Sequence, residues 1–235
     1  FMGLQGLFAA YGRDSELVTL VDSVIDAGNS VAMTLYLLHA IAGAEVEEQA
    51  LEAEEFGEQW GEQYERFREF REEYMWVAWL YGTWHAHRGD SANVRALQGI
   101  LETRAAASGN TETALYAEAL AADVALLNGD TTHAIERLSG LSSVGTSDSL
   151  SGAFGLSLPT ERLRLAEVLC AQRRYRECLD SASVFDHQTP LVYVIFVPAS
   201  LQLRLRAARA LGLSDLARDY QQRLTTLGRL EMIEP

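Results

Sequence analysis

Five short turns, each followed by a helix-forming run with a matched position five residues on, constrain this chain more than any other feature. The turns read Ala27-Gly28-Asn29, Arg88-Gly89-Asp90, Asn128-Gly129-Asp130, Arg173-Arg174-Tyr175 and Leu211-Gly212-Leu213. Five residues past the Gly, or past Arg173, stand Met33, Val94, Ala134, Cys178 and Ala217. Self-similarity of this kind marks a series of helical hairpins, because each hairpin leaves an apolar face that only a neighbour covers. Seven residues before the mark stand Val21, Gly82, Ala122, Ala166 and Leu205, small in three of the five. A small residue at that place lets two helices approach closely. The expected fold class is therefore all-α.

The marks recur 61, 40, 44 and 39 residues apart, and the longest interval has a visible cause. Residues 45–74 hold twelve Glu and three Arg, with Val46, Ala53, Trp60, Phe67 and Tyr74 spaced by seven. That spacing lays an aromatic stripe along one long acidic helix. Two readings stand. Either the helix is solvated and packs on its neighbours, or Trp60, Tyr64 and Phe67 make it a protein-binding or self-associating helix, which would give a homodimer. The other departure is the Ser- and Gly-rich stretch 142–158, which reads as a flexible loop. The chain thus divides as one helical-repeat domain, 1–235: a first hairpin at 14–43, the acidic helix at 45–74, two hairpins at 75–141, the loop at 142–158 and two hairpins at 159–229.

The formal charge of −14 argues against nucleic acid, whose phosphates need a positive footprint. The charge is uneven: residues 1–158 carry 24 acidic and 8 basic groups, whereas 159–235 carry 9 and 11. All 19 basic residues are Arg, a compositional bias that no single site would impose. No run approaches the ~20 apolar residues of a membrane helix, so no membrane contact is expected of this segment. The opening Phe1-Met2-Gly3-Leu4 lacks both an initial Met and basic residues. A segment of a longer chain is the expectation, cytoplasmic or displayed by a membrane-anchored parent.

Residues with chemical potential form no convincing constellation. Cys170 and Cys178 flank the Arg173 turn and are expected as free thiols, since small buried cysteines are common in helix packing. His85 and His87 are two apart and point to different faces of a helix, so no metal or cofactor is expected. Asp186-His187 beside Ser183 or Ser200 makes no triad, and Asp186-His187-Gln188-Thr189-Pro190 reads as a helix end and loop start. Leu191–Val197 leans towards β structure and precedes Pro198, which predicts a short strand or an extended approach to a helix. Pro159 and Pro198 both fall fourteen before a mark, where a helix begins. The expectation is a non-catalytic chain.

The small residue, the Gly-Asp-like turn and the Ala early in the second helix resemble the tetratricopeptide repeat, with longer intervals than the family period of about 34. The strings Arg162-Leu163-Arg164-Leu165-Ala166-Glu167-Val168-Leu169, Ser183-Val184-Phe185-Asp186-His187, Pro198-Ala199-Ser200-Leu201 and Leu205-Arg206-Ala207-Ala208-Arg209-Ala210-Leu211-Gly212 resemble the C-terminal repeat regions of some bacterial serine/threonine protein kinases and related signalling proteins. No kinase motif is present. The resemblance implies a right-handed solenoid whose first helices line a concave face, with Trp76, Trp79, Tyr116, Asp123, Arg206 and Arg209 turned inward. Aromatics there would receive a peptide and the arginines a carboxylate. The competing reading makes Trp76, Trp79 and Trp84 core and leaves Arg204, Arg206 and Arg209 as helix decoration. The expected function is a protein or peptide interaction scaffold within a larger bacterial signalling protein, with its own parent chain among the partners. The alternative is a small-ligand sensor, with a pocket under the Ser/Gly-rich loop near Trp76 and Trp79.

Overall fold

The computed structural model describes residues 2–27, 30–61, 75–142, 157–186 and 192–228, and no strand occurs among them. The α-helices are α1 (Met2–Ala10), α2 (Asp14–Asp26), α3 (Thr34–Ile41), α4 (Glu47–Gly61), α5 (Met75–His87), α6 (Ser91–Ser108), α7 (Thr111–Leu127), α8 (Thr131–Ser142), α9 (Pro159–Ala171), α10 (Tyr175–Ala182), α11 (Tyr193–Ala210) and α12 (Ser214–Thr226). Short 3-10 segments at Ser30–Met33 and Ser183–Asp186 lead into α3 and follow α10. The fold is all-helical.

The chain forms two compact units: residues 21–41 with 45–144, and residues 1–20 with 42–44 and 145–235. In the first, the central unit, α3 packs on α4 and α5, α5 on α6 and α7, and α7 on α6 and α8. In the second, the terminal unit, α11 packs on α9, α10, α12 and α1, and α9 pairs with α10. Helices therefore pair directly across the marks at Gly89, Gly129, Arg173 and Gly212.

One backbone device closes all four turns. The N–H three positions past the last helical residue reaches back five residues: Asp90 to the His85 carbonyl, Asp130 to Ala125, Arg174 to Leu169 and Leu213 to Ala208, at 2.8, 2.9, 2.9 and 2.9 Å. Such a bond requires a left-handed residue at the mark, which glycine adopts without strain. Gly89, Gly129 and Gly212 stand at φ +79°, +79° and +71°, and Arg173 takes the same region at +60° without being glycine. The same bond joins Arg13 to the Phe8 carbonyl (2.9 Å) around Gly12 at φ +66°, a turn outside the five read from sequence. Asp90 and Asn110 then cap the following helices, each accepting from two backbone N–H groups.

The register explains where the core sits. Five residues past the marks, Val94, Ala134, Cys178 and Ala217 are buried, as is Leu17 after Gly12. Seven before them, Gly82, Ala122, Ala166 and Leu205 are buried too. At Gly82 the need for a small residue is explicit, since a Cβ there would stand 2.4 Å from Leu120 Cδ1, so α5 and α7 cross at a glycine.

Several expectations are corrected. Cys170 and Cys178 are not free thiols but a disulfide, with their Cα atoms 5.2 Å apart. The Arg173 turn folds the end of α9 onto the start of α10 and brings the two sulfurs together. Leu191–Val197 contains no strand in its described part, because α11 begins at Tyr193, and Tyr193, Ile195 and Phe196 are buried at helical spacing. Packing on neighbouring helices overrides β propensity here. Pro198 consequently lies inside α11 rather than at its start, while Pro159 opens α9.

Candidate binding surfaces

In the central unit the predicted inward residues divide by burial. Trp79 and Tyr116 are 0% and 1% exposed and stack with ring centroids 5.5 Å apart, joining α5 to α7. Asp123 is buried, whereas Trp76 is half-buried. Trp79 and Tyr116 thus form core and are not displayed to a ligand, because every face of either ring is already covered. Trp84 is core as well.

A polar network that the sequence reading missed lies where α4 meets α5. Glu54 accepts from Trp84 Nε1 at 2.9 Å and from Arg88, and its other oxygen stands 3.6 Å from His85 Nδ1. The Asp90 carboxylate approaches the same ring nitrogen at 3.6 Å. Burial holds the His85 pKa below its ordinary value, against the pull of Glu54 and Asp90 towards the charged form. Tyr81 donates to the Ala53 carbonyl beside this network. Together these contacts clamp the described part of the acidic helix to α5. Its buried face is Ala50 and Ala53, with Val46 just before the helix. Tyr64 and Phe67 lie outside the described residues, as does the side chain of Trp60, and most of the 142–158 loop does too.

His39 on α3 is a second buried group. It is fully buried, and among the described residues neither ring nitrogen has a hydrogen-bond partner. Burial alone lowers its pKa to about 3.

The terminal unit carries the cationic groups. Arg206 and Arg209 are exposed on α11, as a binding surface requires. Arg204 is instead 1% exposed, with its guanidinium 5.0 Å from the Tyr220 ring centroid and two N–H groups donated to Asp186. Arg223 of α12 donates to the same carboxylate at 2.7 Å. Partial burial would raise the Asp186 pKa, but the hydrogen bonds from both arginines outweigh it and hold the group below the usual carboxylate range. So Arg204 is no decoration: it ties α11 to the segment after α10. Its separations from its partners, 18 residues to Asp186 and 16 to Tyr220, leave no sequence signal.

Beside the α11–α12 turn lies an open cavity of about 360 Å³, lined by Arg209, Gly212, Leu213, Ser214, Ala217, Arg218 and Gln221. Arg209 donates to Gln221 Oε1 at 3.2 Å, and Arg218 pairs with Asp215 at 2.9 Å. Leu213, at the N-cap position of α12, offers no side-chain acceptor to that helix. Among the described residues no cluster of three or more His, Cys, Asp or Glu is placed to hold a metal ion, and no helix is long and apolar enough to cross a membrane.

No protein-family model matches this chain, and comparison with curated proteins and with solved structures also finds no match.

Proposed function

We propose that the chain is a tetratricopeptide-like helical-repeat module, a right-handed solenoid that holds a protein or peptide segment by equilibrium binding, without bond chemistry, inside a larger bacterial signalling protein. The observation that carries this reading is the recurrence of one turn, one buried position seven before it and one five after it, in four successive helix pairs. Repeats of this kind present side chains between the register positions as an extended surface. Arg206 and Arg209 are the exposed members of the expected inward set, and they suit an acidic or carboxylate-bearing segment. Chemical cross-linking of the chain to proteins of the cells that produce it, followed by peptide mapping, tests the reading. Links clustered on α11 and lost in Arg206→Glu/Arg209→Glu support it, and links scattered over both units and unchanged by the substitutions contradict it.

A second reading has its own observation. The cavity at the α11–α12 turn places two arginines and a glutamine around space for a small anion. On this reading the chain is a small-ligand sensor whose pocket lies at that turn and not near Trp79. Titration with inorganic phosphate and with acetate, watched at Arg209 and Gln221 by NMR, separates it from the scaffold reading.

A further inference from the structure

In the hairpin register, the disulfide occupies two specific places: three residues before the mark and five after it. The other hairpins put Ala86 with Val94, Leu126 with Ala134, and Arg209 with Ala217 at those places. So of the four hairpins this one alone joins the two register positions by a covalent bond. That hairpin is also the one, of the four, whose left-handed turn residue is not glycine: Arg173 at φ +60° carries a side chain in a region L-residues avoid. Cap support is missing as well: Arg174, the N-cap residue of α10, makes no side-chain cap bond, as Leu213 makes none to α12, whereas Asp90 and Asn110 cap α6 and α7. With eight residues and a weak turn, α10 has little of its own to hold it closed.

We propose that Cys170–Cys178 is a redox clasp on the α9–α10 hairpin. Oxidised, it keeps the Arg173 turn closed and, through the 3-10 segment Ser183–Asp186 that continues α10, keeps Asp186 seated on Arg204 and Arg223. A dithiol reductant opens it by exchange. One reductant thiolate attacks a protein sulfur and releases the other cysteine as thiolate; the second reductant thiolate then attacks the reductant sulfur of the mixed disulfide and releases the remaining cysteine as thiolate. Two electrons and two protons pass to the cysteine pair, and the reductant leaves as its own disulfide. Cys170 and Cys178 are 1% and 0% exposed, so the reductant meets the bond only when the hairpin opens locally. The clasp therefore stays shut in an oxidising compartment and yields slowly in a reducing one.

The test compares the air-oxidised chain, the chain in dithiothreitol and Cys170→Ala/Cys178→Ala, each with and without Arg173→Gly. Thiols are counted by alkylation, thermal unfolding is recorded, and amide exchange is mapped by mass spectrometry. The oxidised chain is expected to hold no alkylatable thiol. Reduction, or the double alanine variant, is expected to lower the unfolding temperature of the terminal unit by about 5 °C and to speed exchange in α9, α10 and Ser183–Asp186. Exchange in α5–α8 should not change. Arg173→Gly should remove at least half of the loss by relieving the turn. Two free thiols in the oxidised chain, or identical exchange and unfolding in the two redox states, would overturn the clasp. A loss on reduction that Arg173→Gly leaves untouched would overturn its link to that turn.

Discussion

Leu120 fills the space that a side chain at Gly82 would need, its Cδ1 standing 2.4 Å from the place of the missing Cβ. Since Leu120 is itself fully buried on α7, it has no open volume to swing into. Gly82→Ala should therefore destabilise the central unit by roughly 1–3 kcal/mol through overpacking. Gly99 on α6 is the internal control, as nothing lies within 4 Å of a Cβ there. Gly99→Ala should stabilise by roughly 0.5–1 kcal/mol by restricting the unfolded chain and favouring helix. Urea unfolding of the two variants checks both signs.

His39 should make stability fall with acid. Its folded pKa, lowered to about 3 by burial, lies below its unfolded value near 6.5. The unfolded chain therefore binds the proton first, and stability drops as pH falls from about 6.5 towards 3, by up to about 1.4 kcal/mol per pH unit. Below the folded value the loss levels off. His39→Leu should flatten the pH 6 to 4 part of the profile and raise stability at pH 7, because two unpartnered polar nitrogens leave the core. Denaturant midpoints across pH 4–7 for both proteins measure the effect.

Asp186 titrates in another window. With its folded pKa held below the unfolded one, its contribution is full above about pH 4 and is lost only as pH falls through the folded value. Asp186→Asn leaves the Arg204 guanidinium buried without its counter-charge, at a cost of roughly 1–3 kcal/mol, moderated because the carboxylate is partly open to water. Thermal unfolding at pH 7 should show the loss, and the variant and the parent should draw together as acid protonates the carboxylate.

Trp79→Ala separates core from surface. The ring is fully covered and stacked on Tyr116, so truncation should cost roughly 3–5 kcal/mol, with loss of near-ultraviolet circular dichroism. A variant that kept its stability would place the ring outside the core.

Much of the scaffold was readable because a left-handed turn at a helix end nearly demands glycine, and Gly89, Gly129 and Gly212 announced themselves. The turn at Gly12 is readable by the same rule, with Leu17 at its matching offset, and the mark at Gly28 lies outside the described residues. The cysteine pair also carried its signal: the two positions that meet across a hairpin both hold sulfur, a relation that register reveals and spacing alone does not. Other features had no local trace. The run Tyr193–Val197 is β-leaning by composition and became helix because α9, α10, α12 and α1 cover it or its continuation. Arg204 looks like any surface arginine in sequence, and only the arrival of Asp186 and Tyr220 makes its burial tolerable. Tryptophans at helical spacing fit groove and core equally well, and burial decides for core at Trp79.

The most direct test of the account is the affinity of the cross-linked partner segment, made as a peptide, for the parent chain and for Arg206→Glu/Arg209→Glu. Both arginines are exposed, so the double variant should keep its helical circular dichroism and its unfolding temperature. The account expects Kd to rise by at least about tenfold, some 1.4 kcal/mol. An unchanged Kd in a folded double variant would contradict it.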